Sequence, residues 1–213
     1  MTQSETGRRR RRAVGEFRRG LILDSARTVF ETEGLEGASL RAIAAAAGYT
    51  PAALYFHFDS KEALYAAVLA DSLTALGTAV DTAVGCETAP DRRLAAAALA
   101  FYDFYAANPR DLELGFYLFR GGMRPRGLGR DRDRALNAAL QAALSPIGHA
   151  AEALGQPADR AAAIIAELFA HATGLLLLAH TRRIRLFGLD PRGLMARQVD
   201  RILSEIAPEA TPC

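Results

Sequence analysis

Apolar positions recur at helical rather than strand spacing along almost the whole chain. From Glu16, the residues Phe17, Leu21, Ile22, Ala26, Val29 and Phe30 form one stripe, and Gly34 in "ETEGLEGAS" is placed to end that helix. Ser39 is a good N-cap for a short second helix, whose Leu40, Ile43, Ala44 and Ala47 fall at i, i+3, i+4 and i+7. Gly48 supplies a left-handed turn. Thr50-Pro51 then opens a third helix, because threonine caps free amides and proline fits the first helical position. That helix ends near Phe58, and Asp59 or Ser60 caps a fourth, with Glu62 placed for a capping box with Asp59. Residues 16–58 thus predict a helix, a short helix, a tight turn and another short helix, which is a helix-turn-helix inside a three-helix unit.

Longer amphipathic stretches follow. One covers about 91–107, a second starts at Pro109 behind a capping Asn108, and the loop "GGMRPRGLG" at 121–129 ends it. A stretch at 131–154 contains Pro146, which should kink or split it. Helical runs at 158–186 and 191–207 are separated by "GLDP". Alternating runs are scarce and alanine and leucine dominate, so the expected fold is all-α. Three regions are expected: an arginine-rich arm at 1–14, disordered when alone, a helix-turn-helix domain at 15–60, and a helical bundle at 61–213.

Half of the residues are hydrophobic, enough for a substantial core. Net charge is only +2, but residues 1–20 hold seven arginines against two glutamates. Arg8, Arg9, Arg10, Arg11 and Arg12 run consecutively. A basic end on a mildly acidic body suits contact with a polyanion at that end alone, or a solubilising tail. Cys86 and Cys213 have no metal spacing and no disulfide framework, which fits a reducing compartment. No apolar leader is visible, and "LFAHATGLLLLAH" is shorter than the roughly 20 residues of a membrane span. A cytoplasmic protein with no membrane partner is expected. His149, His171 and His180 lack zinc spacing, and the chain has no phosphate loop, nucleophile motif or paired metal-ligating carboxylates. Neither an enzyme, a metal site nor a cofactor is expected.

The stretch "YTPAALYFHF" divides by face. Leu54 and Phe58, four apart, suit packing against Ile43 and Ala44. Pro51, Ala52, Ala53 and Phe56 point elsewhere, and this exposed apolar face needs a partner.

"SLRAIAAAAGYTPAALYFHFDSKEALY" resembles the DNA-binding signature of the TetR family of bacterial repressors. Ile43-Ala44, Ala47-Gly48, Leu54-Tyr55, His57-Phe58, Lys61 and Leu64 match it in register, over about 50 residues with the preceding helix. Tyr49 departs from a small aliphatic residue and Ala52 from glycine. The resemblance implies that Thr50 to Phe56 form a recognition helix in the major groove of operator DNA. Pro51, Ala52, Ala53 and Phe56 would then meet base edges by apolar contact, thymine methyls above all. Arg41 would hydrogen-bond a base or hold a phosphate. Thr50, Tyr55 and His57 match phosphate-contacting positions. Lys61, the sole lysine, sits in a helix first turn where the dipole disfavours a cation, and a phosphate there would remove the conflict. The five-arginine arm would enter a minor groove or bind phosphates without sequence preference.

The same resemblance implies a homodimer on a two-fold operator and an effector pocket in the middle of the chain. The interface candidates are the apolar stripes of the last two helices: Ile165, Leu168, Phe169, Ala172, Leu176, Val199, Ile202 and Leu203, shared with intramolecular core. The pocket candidates come from the aromatic run "FYDFYAANPRDLELGFYLF": Phe101, Phe104, Tyr105, Phe116, Tyr117 and Phe119, with Met123, His149 and His171 beside them. The implied function is a repressor released from DNA by a small apolar or aromatic ligand. The alternative is an activating or architectural DNA binder without one.

Overall fold

The computed structural model describes residues 3–115 and 127–206, and among them there is no strand. The helices are α1 (Gln3–Gly37), α2 (Leu40–Ala46), α3 (Pro51–His57), α4 (Lys61–Gly85), α5 (Pro90–Ala107), α6 (Pro109–Gly115), α7 (Arg130–Ala153), α8 (Ala158–His180) and α9 (Pro191–Ile206). A 3-10 turn, Arg183–Phe187, lies between the last two. The chain is all-α, as its spacing predicts.

It divides into two compact units. The first holds residues 1–71 and 113–136, the second 72–112 and 137–213. Both α4 and α7 contribute residues to each unit, because a long amphipathic helix can bury successive stretches in different cores.

In the first unit, Ile22, Ala26, Phe30, Ile43, Leu54 and Leu64 are fully buried in one cluster. Phe30 meets Tyr65 edge-on with ring centroids 4.8 Å apart, and the Tyr65 hydroxyl donates to the Leu114 carbonyl at 2.8 Å. Arg132 ties α7 to Asp59 at 3.3 Å. The helix α1 begins at Gln3 and includes the arginine run; arginine is a strong helix former and no proline interrupts it. Phe17 and Leu21, expected on the buried stripe, are exposed, since α1 extends beyond the core it packs on. Gly34 does interrupt the helical path, with φ of 71°.

In the second unit, α5 and α8 both pack on α9 and on each other. Arg192 on α9 donates twice to Asp103 on α5, Nε to Oδ1 at 2.7 Å and Nη2 to Oδ2 at 2.8 Å. Gln156 donates to the Ile206 carbonyl at 3.4 Å, which brings the start of α8 beside the end of α9. Of the residues assigned to a dimer interface, Leu168, Ala172, Leu176, Val199 and Ile202 are buried within the protomer itself. Their stripes face each other and α5, so these five belong to the core; Ile165, Phe169 and Leu203 are half-buried.

Pro146 neither splits nor ends α7. It removes the amide that would reach the Ala142 carbonyl, and the Ser145 hydroxyl donates to that carbonyl instead, at 2.8 Å. The run 158–186 is shorter as an α-helix than its pattern suggests, ending at His180. Both α4 and α8 are long and apolar enough to cross a membrane by length and composition, unlike the shorter run singled out in the sequence. Each nevertheless turns a face into the protein's own core through residues such as Leu64, Val68, Ile164 and Leu168.

Candidate nucleic-acid interface

The recognition module is assembled by local rules and then locked by burial. The Ser39 hydroxyl accepts from the Ala42 amide at 3.1 Å and starts α2. After Ala46 the chain turns through Gly48, whose φ of 72° suits glycine and few other residues. The Tyr49 amide closes the turn on the Ala44 carbonyl at 2.8 Å. Thr50 then caps α3, its hydroxyl accepting from the Ala53 amide at 3.2 Å, and Pro51 opens the helix. Tyr49, where the family signature has a smaller residue, packs half-buried against the core cluster.

The seven residues of α3 have two unlike faces. Leu54 is fully buried, and Phe58 just beyond the helix is buried with Ile43 and Ala44. Pro51 and Ala52 are exposed, Ala53 is half-buried, and Tyr55 is 58% exposed. Phe56 is 87% exposed, and the His57 ring stands nearly perpendicular to it with centroids 5.4 Å apart. Leaving so large an apolar side chain in water forgoes about 1.5–3 kcal/mol of burial. Beside it on the same short helix Pro51, Ala52 and Tyr55 are exposed as well, so the exposed face of α3 is largely apolar.

Arg41 lies exposed on α2. Lys61 departs from the reading based on the helix dipole. Its ammonium donates to the Glu36 carbonyl at the end of α1, at 3.2 Å, so a carbonyl already answers its charge. Two ammonium hydrogens remain for another acceptor. Arg8, Arg9 and Arg10 are exposed on α1, while the side chains of Arg11 and Arg12 lie outside the described set.

The second candidate region is only partly visible. Phe116, Tyr117, Phe119 and Met123 lie outside the described residues. Phe101 and Tyr105 are buried, with ring centroids 5.1 Å apart, and Phe104 stacks edge-on to Tyr105 at 5.2 Å. Phe169, which the sequence suggested for a dimer interface, instead meets Phe101 at 5.7 Å. His149 is exposed, which removes it from any enclosed site. His171 is half-buried, and its Nε2 atom, like the Thr173 hydroxyl, is buried without a hydrogen-bond partner among the described residues. Sequence spacing could not show either orphan, because each depends on what the neighbouring helices leave unpaired. Among the described residues no three metal-ligating side chains gather.

Burial, and secondarily Asp111, pushes the Tyr105 phenol up to about 12, from 10. A raised phenol holds its proton in the folded state after the unfolded chain has lost it. Its stabilisation is therefore complete below pH 10 and is lost as pH rises towards 12. Tyr105→Phe is expected to reduce the alkaline loss of stability by about 2 kcal/mol, read from urea midpoints at pH 9 and above. An unchanged alkaline limb would show that this phenol titrates normally.

Residues 22–68 match the family model for bacterial regulatory proteins of the tetR family. Over 109 residues the chain is 38% identical to the HTH-type transcriptional activator FasR of Mycolicibacterium smegmatis, covering 51% of this chain and 50% of that one. It is 46% identical over 52 residues to the HTH-type transcriptional repressor KstR2 of Rhodococcus jostii, covering 24% and 26%. The chain thus spans half, or less, of the length of these relatives. A protein of unknown function from Rhodococcus sp. RHA1 shares the fold at a TM-score of 0.71 and 27% identity, over 90% of this chain and 96% of that one. The regulator FadR of Bacillus subtilis, solved with stearoyl-CoA, superposes at a TM-score of 0.65 and 14% identity, over 84% and 95%.

Proposed function

We propose that this chain, which belongs to the tetR family of bacterial regulatory proteins, acts in the cytoplasm as a homodimeric repressor that a small apolar ligand releases from operator DNA. The observation that carries the DNA half is the exposed apolar face of α3, with Phe56 at its centre and Tyr55 and His57 beside it. Phe56, Pro51, Ala52 and Ala53 read bases by apolar contact. Thr50, Tyr55, His57 and Lys61 hold phosphates, and α1's arginines, Arg8 to Arg12, neutralise more of the backbone. Arg41 supplies the one hydrogen-bonded base contact.

The aromatic group of Phe101, Phe104 and Tyr105 and the orphaned His171 nitrogen suit an apolar molecule with one polar group. Long-chain acyl-CoA is the first probe to try, because FadR of Bacillus subtilis was solved with stearoyl-CoA. A ligand that binds one dimer geometry better than another shifts the spacing of the two recognition helices, with α4 as the connecting element. The name of FasR favours a second reading, in which the same DNA contacts activate transcription.

Gel-shift titration against the DNA upstream of the protein's own gene separates these readings. Specific binding should weaken steeply with salt, and Arg41→Ala should relax base preference at one operator position by about tenfold. Uniform weakening over all sequences would demote Arg41 to a phosphate contact. Binding no tighter than to competitor DNA would remove regulation at that locus. Operator affinity indifferent to every bound ligand, with transcription raised in vitro, would favour the activator.

A further inference from the structure

Exposed large apolar side chains occur at two places among the described residues of the first unit. Tyr55 and Phe56 belong to the outer face of α3, while Val14, Phe17 and Leu21 all lie on α1. At about 100° per residue, these last three fall within roughly 60° of one another. Ile22, Leu23, Ala26, Val29 and Phe30, the buried side of the same helix, centre roughly 150° away from them. The stripe therefore faces outward, and Phe17 at its middle is 69% exposed. The helix is also open around its glycines, since a Cβ added at Gly7, Gly15 or Gly20 would meet nothing within 4 Å.

Positive charge surrounds the stripe. Residues 8–19 hold seven arginines against Glu16. Arg10 and Arg18 stand four residues before and four after Val14, in line with the stripe, and both are exposed. An apolar stripe edged by arginine is the pattern of a helix that lies in a membrane interface. Its apolar residues reach the acyl boundary and its arginines reach anionic headgroups.

Other occupants leave part of this face unanswered. The minor groove of DNA, about 6 Å wide, is too narrow for a helix about 10–12 Å across. Its phosphates would meet the arginines and leave the stripe uncovered. A second copy would set seven arginines against seven.

We propose that the outward face of α1, from Arg8 to Leu21, docks this protein on an anionic phospholipid surface. Val14, Phe17 and Leu21 enter the interface, and the arginines pair with headgroup phosphates. The expectation of no membrane partner concerned spanning segments, and a helix that lies on a surface needs none. The docking goes beyond the DNA reading, because the stripe has no part in the contacts assigned to α3.

Flotation of the full chain with lipid vesicles tests this. It should float with mixed phosphatidylglycerol and phosphatidylcholine vesicles and stay behind with phosphatidylcholine alone. Phe17→Ser with Leu21→Ser should weaken vesicle binding at least about tenfold, while keeping the wild-type circular dichroism spectrum and operator gel shift. Arg18→Ser should weaken it roughly fivefold. The chain has no tryptophan, so Phe17→Trp supplies a single reporter, whose emission should move to the blue on anionic vesicles. Absence of flotation with anionic vesicles would overturn the proposal. Equal flotation of the Phe17→Ser, Leu21→Ser variant would overturn it too, by reducing the contact to charge alone. Loss of operator binding in that variant would place the stripe on DNA instead. A blue shift as large with polyglutamate as with vesicles would assign the face to an acidic protein and overturn the lipid assignment.

Discussion

Leu54→Ala is expected to cost the first unit about 2–5 kcal/mol, the range for deleting a fully enclosed leucine side chain. Leu54 is 0% exposed and joins α3 to a cluster that includes Ile22, Phe30, Ile43 and Leu64. Alanine would leave a cavity where α2 and α3 meet, and the seven residues of α3 are too few to hold a helix on their own. The urea midpoint of the first unfolding transition should fall, and operator binding should fall with it because the reading face loses its seat. Hydrogen exchange should show the amides of α3 opening first. A variant with wild-type midpoint would mean that the cluster repacks around the gap, and the account of how α3 is positioned would fail.

Phe56→Ala, two positions along the same helix, should do the reverse. The side chain is 87% exposed, so its loss should change stability by less than about 0.5 kcal/mol. Operator affinity should fall roughly tenfold to hundredfold if this ring covers thymine methyls, each well-made base contact being worth about 1–3 kcal/mol. A sharper version exchanges thymine for uracil in the operator. Wild-type binding should weaken on removal of the methyl, and the Phe56→Ala variant should be indifferent to it. Equal sensitivity in both proteins would place the ring away from the bases. The two substitutions together separate the fold of α3 from its use, which no single loss of binding can do.

Such opposite expectations for neighbouring residues come from a division the sequence already makes. The four-residue spacing of Leu54 and Phe58 assigns one face to the core, and what remains of α3 is apolar without an internal partner. The module's boundaries are equally legible, because caps and turns act within three or four residues. Ser39, Gly48 and Thr50-Pro51 each impose one backbone conformation whatever lies beyond them. Of these, Gly48 is also one of the positions at which the chain resembles the family signature.

Some of the readings that needed correction concern distant partners. Lys61 looked anomalous by the dipole of its own helix, yet the Glu36 carbonyl meets it from 25 residues away. Periodicity in α8 and α9 shows that a face is buried and is silent on what buries it. Leu168, Ala172, Leu176, Val199 and Ile202 are covered by the protein's own helices.

By itself, then, the sequence determined the helix-turn-helix, its caps and the exposed apolar face of α3, because those depend on neighbours within a turn or two. Only the tertiary structure decided the two units, the partner of Lys61, the orphaned nitrogen of His171 and the division of the α8 and α9 stripes. Each of these is fixed by long-range packing, where the competition for a buried face is settled by shape and not by spacing.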